Sequence, residues 1–204
     1  MIGIIHYGLG NVRAFENIYR RLDIPAIRVS DATSLSGCDR LILPGVGAFD
    51  WAMIRLRQSG MLDALNRRVL DDKVPVLGVC VGMQIMADQS EEGVEPGLGW
   101  IPGIVQRFEE GSFTQCTHLP HMGWDDVIPL SGSALFHAID APQYYFLHSY
   151  YFNPADKDCV IGSTHYGTTF ASAVRNGNIW ATQFHPEKSH DSGVALLRNF
   201  STIC

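Results

Sequence analysis

A single cysteine stands between two glycines where an apolar run gives way to a helix-period segment. The segment reads Gly78-Val79-Cys80-Val81-Gly82, the thiol version of the G-x-S-x-G nucleophile elbow. In such a turn the nucleophile has a strained backbone, and flanking glycines avoid collisions with the adjoining strand and helix. The turn also places the sulfur at a helix N-terminus, whose partial positive charge favours the thiolate. Because free cysteine is also often buried, this segment alone leaves Cys80 either a nucleophile or a packed thiol.

A base and its orienting group, which a thiol nucleophile requires, follow late in the chain. The segment QFHPE, residues 183–187, comes directly after an apolar strand-like run. Glu187 can turn back through the proline to accept from one imidazole nitrogen, which leaves the other nitrogen to face the sulfur. Taken alone, the segment fits a strand-end histidine in a solvated turn better than a catalytic base. Together with Cys80 it predicts a Cys/His/Glu triad in nucleophile-first order.

A glycine-rich segment, LPGVGA at residues 43–48, follows another strand-like run. Consecutive backbone N–H groups in such a turn can point at an anion. Gly45, Val46 and Gly47 are therefore candidates for an oxyanion hole shared with the amide of Val81. The alternative is a plain turn between a strand and a helix.

The elements that would position these residues alternate through the first half of the chain. Strand-like runs (IGIIHY, AIRVS, RLILPG, VPVLGV) are separated by helix-period segments (NVRAFENIYRRL, FDWAMIRLRQSGMLDALNRRVL, MQIMAD), which predicts βαβ units and a parallel sheet. From Gly99 onward short strand-like pieces follow, with Asn176-Gly177 as a hairpin signal and a last helix capped by Asp191. We predict one α/β domain over residues 1–204. Its sheet is doubly wound, mixed and mainly parallel, flanked by helices, with antiparallel additions in the second half.

Length, charge and cysteine usage argue against several function classes. The 204 residues carry a formal net charge of −6, which opposes binding to nucleic-acid phosphates and anionic membranes. No apolar run approaches the ~20 residues that span a bilayer, and Met1 leads directly into a strand-like run without a basic leader. The sequence therefore predicts a cytoplasmic protein with no nucleic-acid or membrane partner. The five cysteines are scattered and never form CxxC, so no disulfide framework is expected.

Three further patterns suggest chemistry that the rest of the sequence does not support. Residues 8–13, GLGNVR, follow the first strand as a dinucleotide loop would, but Arg13 takes the third glycine position. The segment CTHLPH, residues 116–121, has zinc-ligand types without regular spacing, so neither a metal nor a cofactor is predicted. The aromatic run at residues 144–152 is expected to be a strand rather than a base-stacking platform, because the chain is acidic.

The segments PGVG, GVCVGMQ and FHPEKS together resemble the class I (triad-type) glutamine amidotransferases. The likeness runs in the same order from Gly3 to Phe200 and implies a flavodoxin-like fold. Within that family, LPHMGW at residues 119–124 and YFLHSY at residues 145–150 resemble the glutaminase subunits of imidazole glycerol phosphate synthases.

The resemblance implies hydrolysis of L-glutamine to glutamate and ammonia. Cys80 would attack the side-chain amide of glutamine, and His185, oriented by Glu187, would protonate the departing ammonia. The amides of Gly47 and Val81 would hold the oxyanion, a role worth about 3 kcal/mol per donor in other enzymes. The positions that match glutamine recognition are Gly47, Gln84, Glu92, Tyr145, His148 and Ser149.

The same resemblance implies a partner. In the family, ammonia passes to a separate (β/α)8-barrel cyclase subunit of a heterodimer, which forms imidazole glycerol phosphate and AICAR in histidine biosynthesis. The glutaminase is nearly idle until that partner binds its own ligand. An exposed tryptophan and methionine suit an interface. The positions that match the interface motifs, or lie beside them, are Gly10, Asn11, Pro120, His121, Met122, Gly123, Trp124 and Lys188.

Departures from the family pattern keep a second ammonia acceptor open. Asp125 stands where the pattern usually has asparagine, which removes a neutral donor and adds a charge. The segments ENIYRRLDIPA, GVGAFDWAM and EEGVEPGLGWIPG are more similar to paralogues that supply ammonia for acetamidino-sugar formation in surface polysaccharide. A catalytically silent regulatory subunit and a related thiol hydrolase or peptidase are further alternatives. The complete triad argues against the first, and PHMGW argues against the second.

Overall fold

The computed structural model describes residues 1–112 and 118–202, and in its first half strands alternate with helices as predicted. The strands are β1 (Ile2–Ile5), β2 (Ala26–Val29), β3 (Arg40–Gly45), β4 (Val76–Cys80), β5 (Gln89–Ser90), β6 (Gly103–Arg107), β7 (His121–Asp126), β8 (Ile128–Pro129), β9 (Gln143–His148), β10 (Tyr150–Pro154), β11 (Val160–Tyr166), β12 (Thr168–Asn176) and β13 (Ile179–Thr182). The helices are α1 (Val12–Arg21), α2 (Phe49–Gln58), α3 (Leu62–Asn66), α4 (Val81–Gln84) and α5 (His190–Thr202).

The central sheet is parallel on one side and antiparallel on the other. Its strand order is β2-β1-β3-β4-β13-β12-β11-β8, with parallel pairing from β2 to β13 and antiparallel pairing beyond. The parallel strands β1, β4 and β13 are buried along their whole length, as near-continuous apolar runs in parallel sheets generally are. The predicted mixed, mainly parallel α/β fold with antiparallel additions is confirmed.

The helices cover this sheet through large buried side chains. Phe15 and Tyr19 of α1, Phe49 of α2 and Phe200 of α5 are fully buried. Burial of each such side chain stabilises the fold by roughly 1.5–3 kcal/mol, because its apolar surface is removed from water. Tyr19 also donates a hydrogen bond of 3.2 Å to the Leu197 carbonyl, which ties α1 to α5.

Three parallel strands bring the predicted site residues to one edge of the sheet. β3 and β13 flank β4, with Gly45 opposite Cys80 and Thr182 opposite Val79. Carboxyl ends of parallel strands meet at the same edge, where open α/β sheets bind their ligands. The glycine-rich turn after β3, the cysteine at the end of β4 and His185 after β13 therefore lie together.

Two predicted segments are divided in the structure. The long helix-period segment after the glycine-rich turn is broken at Gly60, whose φ of +72° is typical of a helix end. α3 continues after it into a π-helical turn at Arg67–Asp71. The aromatic run at residues 144–152 is interrupted at Ser149, so that its halves, β9 and β10, belong to different sheets.

Of the two features predicted from short segments in the second half of the chain, the hairpin is present and the helix cap is not. The predicted hairpin is confirmed, since β12 and β13 are antiparallel with Asn176 opposite Ile179 and Gly177 at a φ of +59°. The last helix begins at His190, so Asp191 lies in its first turn and not at the predicted cap position. A carboxylate in the first turn still stabilises the helix through the backbone dipole.

Candidate active site

Cys80 is the junction between β4 and α4. Its φ of 56° and ψ of −115° are strained for a residue with a side chain, and it is 4% exposed. Strain of this kind persists only where the surroundings impose it. The backbone therefore has the sharp strand-to-helix turn that the G-x-C-x-G segment predicts.

The glycines around this turn are required by close packing. A Cβ on Gly78 would lie 2.7 Å from Met86 Cε, and one on Gly82 would lie directly against the Leu43 carbonyl oxygen. A Cβ on Gly45 would lie 2.5 Å from the amide nitrogen of Gly82. The strand β3 thus presses against the start of α4, and glycine is needed on both sides of the contact.

His185 and Glu187 form a buried pair after β13. Their Nδ1–Oε1 distance is 2.9 Å, and the two side chains are 3% and 2% exposed. The His185 amide donates to the Tyr145 carbonyl at 2.9 Å, and the Ser189 hydroxyl donates to the His185 carbonyl at 2.6 Å. The backbone on both sides of the imidazole is therefore held in place, as a positioned base requires.

The pKa of His185 reflects its two partners. Burial lowers this pKa, but hydrogen bonds to Cys80 and Glu187, together with their negative charges, outweigh burial and raise it to about 10. An imidazolium between a sulfur and a carboxylate is therefore favoured at neutral pH. Such a histidine can donate a proton toward Cys80 from Nε2 while Nδ1 donates to Glu187.

Gln183 is a site residue that sequence reasoning missed. It is fully buried, its Nε2 lies 3.9 Å from Cys80 Sγ, and its Oε1 accepts a hydrogen bond of 3.1 Å from Gln84. Gln84 donates a second bond of 3.0 Å to the Tyr150 carbonyl. The available signal was an uncharged polar residue in the otherwise apolar run before His185.

Tyr7 is a second missed residue. Its hydroxyl donates a hydrogen bond of 2.8 Å to the Pro44 carbonyl at the end of β3. Burial, and after it the negative charge of Cys80, raise the pKa of Tyr7, so the hydroxyl keeps its proton. The strand end that leads into the glycine-rich turn is thereby fixed.

A cavity of about 320 Å³ opens in front of the sulfur and brings most of the predicted residues together. The residues that line it are Val46, Gly47, Cys80, Val81, Gln84, Glu92, Pro120, Leu147, His148, Ser149, Tyr150, His185 and Lys188. Gly45 lies behind this wall, against Gly82. The ring of Tyr145 instead lies between Trp124 and Lys188, with a centroid 6.4 Å from that of Trp124 and 5.6 Å from Lys188 Nζ.

Glu92 presents a carboxylate to this cavity. One of its oxygens accepts a hydrogen bond of 2.8 Å from the Phe49 amide, at the start of α2. Burial raises the pKa of Glu92, the Phe49 hydrogen bond opposes that shift, and the charge of Asp50 adds to it. A carboxylate held in this way suits a cationic group of a small ligand.

The predicted interface residues divide by exposure. Met122 and Trp124 are 64% and 47% exposed on the outer face of β7. His121, on the same strand, is 2% exposed and faces inward, where its ring stacks on that of Phe146 at 4.6 Å. Of the others, Asn11, Pro120 and Lys188 are exposed, while Gly10 and Gly123 are half-buried.

The described residues offer little for metal binding. Across 1–112 and 118–202, no group of three or more His, Cys, Asp or Glu side chains is arranged to hold a metal ion. Cys116, the first residue of the weak zinc-like pattern, lies outside the described residues. In the same ranges, no helix has both the length and the apolar character needed to cross a membrane.

Sequence comparison places the chain among known amidotransferases. The model of the class-I glutamine amidotransferase family matches residues 10–204. The imidazole glycerol phosphate synthase subunit HisH of Bdellovibrio bacteriovorus is 52% identical over 204 residues, 100% of both chains. The subunit HisH of Leptospira borgpetersenii is 46% identical over 204 residues, again 100% of both.

Solved structures agree on the fold. A crystal structure of a glutamine amidotransferase has a TM-score of 0.74 at 22% identity, and the match covers 98% of this chain and 99% of that one. A structure of PurLQS from Thermotoga maritima has a TM-score of 0.74 at 15% identity, and the match covers 98% of this chain and 96% of that one. From the family match and these full-length relatives, the chain belongs to the class-I glutamine amidotransferases and, within them, to the imidazole glycerol phosphate synthase subunits HisH.

Proposed function

We propose that this chain hydrolyses L-glutamine through Cys80, with His185 and Glu187 completing a catalytic triad, and supplies the ammonia to a cyclase partner. The observation that carries the proposal is the strained Cys80 at the wall of a cavity, hydrogen-bonded to a histidine whose other nitrogen lies 2.9 Å from a buried carboxylate. This is the geometry of an activated thiol nucleophile.

The first half of the reaction forms a thioester. The Cys80 thiolate attacks the side-chain carbonyl carbon of glutamine, and the electron pair of the C=O bond moves to oxygen. The amides of Gly47 and Val81 hold that oxyanion, and loss of one such donor costs about 3 kcal/mol of transition-state stabilisation. His185 then gives its proton to the amide nitrogen, the C–N bond breaks, and ammonia leaves.

The second half regenerates the thiol site. Neutral His185 takes a proton from water, and the resulting hydroxide attacks the thioester carbonyl. The C–S bond breaks, glutamate forms, and the proton on His185 again faces a Cys80 thiolate. Glu187 keeps the imidazole in one orientation throughout both halves.

Substrate recognition is assigned to the polar wall of the cavity. The Glu92 carboxylate suits the α-ammonium group of glutamine, and Lys188, Ser149 and His148 are the polar groups available near its carboxylate. Gln84 and Gly47 complete the recognition set. Tyr145 is retained in it as a residue that acts through Lys188, because its ring lies 5.6 Å from Lys188 Nζ.

The proposed partner is a (β/α)8-barrel cyclase subunit bound at the exposed face of β7 and β9. Exposed aromatic and methionine side chains such as Trp124 and Met122 are enriched in interfaces. The HisH relatives from Bdellovibrio and Leptospira are named as imidazole glycerol phosphate synthase subunits, which favours ring closure in histidine biosynthesis over sugar amidination as the use of the ammonia.

A glutaminase assay with and without the barrel subunit and its ligand tests this proposal. We expect glutamate release to rise strongly when the liganded partner is added, and Cys80→Ala to abolish it while binding the partner normally. A Cys80→Ala chain that still turns glutamine over would refute the assignment of the nucleophile. Deletion of the gene tests the acceptor, because growth that stays independent of histidine would contradict the cyclase pathway.

A further inference from the structure

The inner face of the β7–β9 sheet carries three polar side chains in a row. His121 of β7 lies directly opposite His148 of β9, and Asp125 lies four residues along β7 on the same face. His148 Nδ1 is 2.8 Å from the Tyr150 carbonyl oxygen, and its Nε2 is 3.0 Å from His121 Nδ1. His121 Nε2 is 3.2 Å from Asp125 Oδ2. These contacts join the cavity wall at His148 to Asp125 at the surface.

Counting protons along this row gives a definite result. Two hydrogen bonds and one contact of 3.2 Å between a ring nitrogen and a carboxyl oxygen make up the row, and each needs a proton between its two atoms to be attractive. A carbonyl oxygen can only accept, so His148 Nδ1 must carry one of these protons. Two neutral imidazoles supply two protons in total. The contact between His121 and Asp125 therefore needs a third proton, taken from solvent and held on a ring nitrogen or on the carboxyl group.

We infer that His121 and Asp125 are positioning residues for His148, which they hold at the cavity wall through a hydrogen-bond chain that is complete only when it contains this third proton. The inference rests on the proposed function, which assigns glutamine as the ligand of the cavity. His121 and His148 are buried, whereas the Asp125 side chain is 32% exposed. The proton therefore enters and leaves at the Asp125 end.

Burial indicates where the third proton resides. It lowers the pKa of His121 to about 4 and, together with the charges of His121 and His185, lowers that of His148 to about 3. Burial also raises the pKa of Asp125, a shift that the Asp126 amide opposes. These directions disfavour a charge on either ring and make the Asp125 carboxyl group easier to protonate than a free aspartate.

The charged and titratable neighbours of this chain come from several elements. Among the described residues, Asp126 on β7 raises the pKa of Asp125 and His165 on β11 lowers it. Tyr166 on β11 stacks on His121 with ring centroids 3.9 Å apart. Tyr144 on β9 lies opposite Asp125, and the charge of His185 acts on His148 from the catalytic side.

Loss of the third proton removes the donor between His121 and Asp125. A ring lone pair then faces a carboxylate at 3.2 Å, and the two repel. The His121 ring then lacks its attractive contact with Asp125. Its Nδ1–H group is therefore no longer held in place opposite His148 Nε2. We expect weaker glutamine binding as the pH rises, seen as a larger KM rather than a smaller kcat.

Asp125→Asn is the sharp test because it makes the donor permanent. Asp125 Oδ1 already accepts from the Asp126 amide at 2.8 Å, so the asparagine oxygen keeps that bond and its NH₂ group faces His121 Nε2. Asp126→Asn is the matched control, with the same charge change on an exposed side chain of the same strand. Asp126 Oδ1 accepts a hydrogen bond from Gln143 Nε2, and the amide oxygen of an asparagine can accept the same bond.

The kinetic measurement is the KM for glutamine of the complete complex from about pH 5 to about pH 9, upward from the ordinary range of a carboxyl pKa. We expect the ratio of the wild-type KM to the Asp125→Asn KM to rise roughly threefold to tenfold across it, the effect of one hydrogen bond. The Asp126→Asn ratio should show no net rise over this range, because that variant removes only a charge that raises the pKa of Asp125 and leaves the titrating carboxyl group in place. A flat ratio for Asp125→Asn as well would overturn the inference.

A second readout does not depend on glutamine turnover. Nitrogen-15 NMR of the histidine side chains, with carbon-13 NMR of the aspartate carboxyl groups, counts the protons in the isolated full-length chain. We expect protonated Nδ1 in both rings and an Asp125 carboxyl group whose pKa lies above the ordinary aspartate value. An ionised Asp125 beside two neutral rings at acidic pH would refute the chain, even if glutaminase activity were confirmed. If the proton count is as expected but the complete complex has no glutaminase activity, the row of His148, His121 and Asp125 stands and the proposed function is refuted.

Discussion

Gln183 Nε2 points at the sulfur of Cys80 from 3.9 Å, on the side of β4 that β13 covers. Its amide is oriented by Gln84, whose Nε2 donates to Gln183 Oε1 at 3.1 Å. A buried amide dipole held in this way stabilises negative charge on the sulfur without reorganising during the reaction.

Gln183→Leu should therefore weaken both the nucleophile and the fold. Removing the amide should lower kcat about tenfold, and it leaves Gln84 without one acceptor, which should lower the free energy of unfolding by about 1–3 kcal/mol. Glutaminase kinetics and urea unfolding measure the two effects. Gln89→Leu, on an exposed side chain of β5, is the control. Equal kinetics for both variants would show that Gln183 does not act on the sulfur.

The pKa of His185 should fall when Cys80 is replaced by alanine. The variant loses the hydrogen bond and the negative charge of the sulfur, both of which raise this pKa to about 10 in the intact site, while burial continues to lower it. NMR titration of the His185 ring measures the change. Cys159→Ala changes a half-buried cysteine elsewhere and should leave the ring unaffected. An unchanged titration in Cys80→Ala would mean that the sulfur does not interact with His185.

Gly82→Ala should be strongly destabilising. Its Cβ would meet the Leu43 carbonyl oxygen, and neither the backbone of β3 nor that of α4 can move away without disturbing the elbow. We expect the free energy of unfolding to fall by about 3 kcal/mol or more. Gly111→Ala is the control because its added Cβ has no atom within 4 Å. Similar unfolding midpoints for the two variants would contradict the close packing described at the elbow.

Trp124→Ala should weaken the complex with the proposed barrel partner. Truncation of a large aromatic anchor often costs about 2 kcal/mol, or roughly a thirtyfold loss of affinity. Calorimetric titration with the partner gives this value. Trp51→Ala removes an equally exposed tryptophan from α2 and should leave affinity unchanged. A complex that tolerates Trp124→Ala but not Trp51→Ala would move the interface to the other tryptophan.

Local patterns predicted the strand-to-helix turn at Cys80 and the contact between His185 and Glu187. The glycines around Cys80 and the HPE segment act within a few residues of the groups that they position, so their spacing carries the information. The parallel sheet followed from the alternation of apolar runs. The strand break at Ser149 did not, because the aromatic residues on both sides of it favour a strand and the two halves pack into different sheets.

Contacts between distant segments could not be predicted in this way. His121 and His148 are far apart in sequence, and their 3.0 Å contact depends on the register of β7 with β9. Gln183 and Tyr7 were missed for the same reason, since each acts through a strand that the sequence alone does not place beside it. A one-residue change of register would have exchanged the inner and outer faces of these strands.

At Cys80, whose φ is 56°, the residue that would make the fold most stable is not the residue that the proposed activity requires. Glycine adopts this conformation without steric cost, so a selection for resistance to unfolding alone would favour Cys80→Gly by relieving strain of order 1 kcal/mol or more. That same replacement removes the sulfur that we propose as the nucleophile. Engineering efforts that rank substitutions by thermal stability should therefore hold residue 80 fixed, because the gain in stability there would come from loss of the proposed nucleophile.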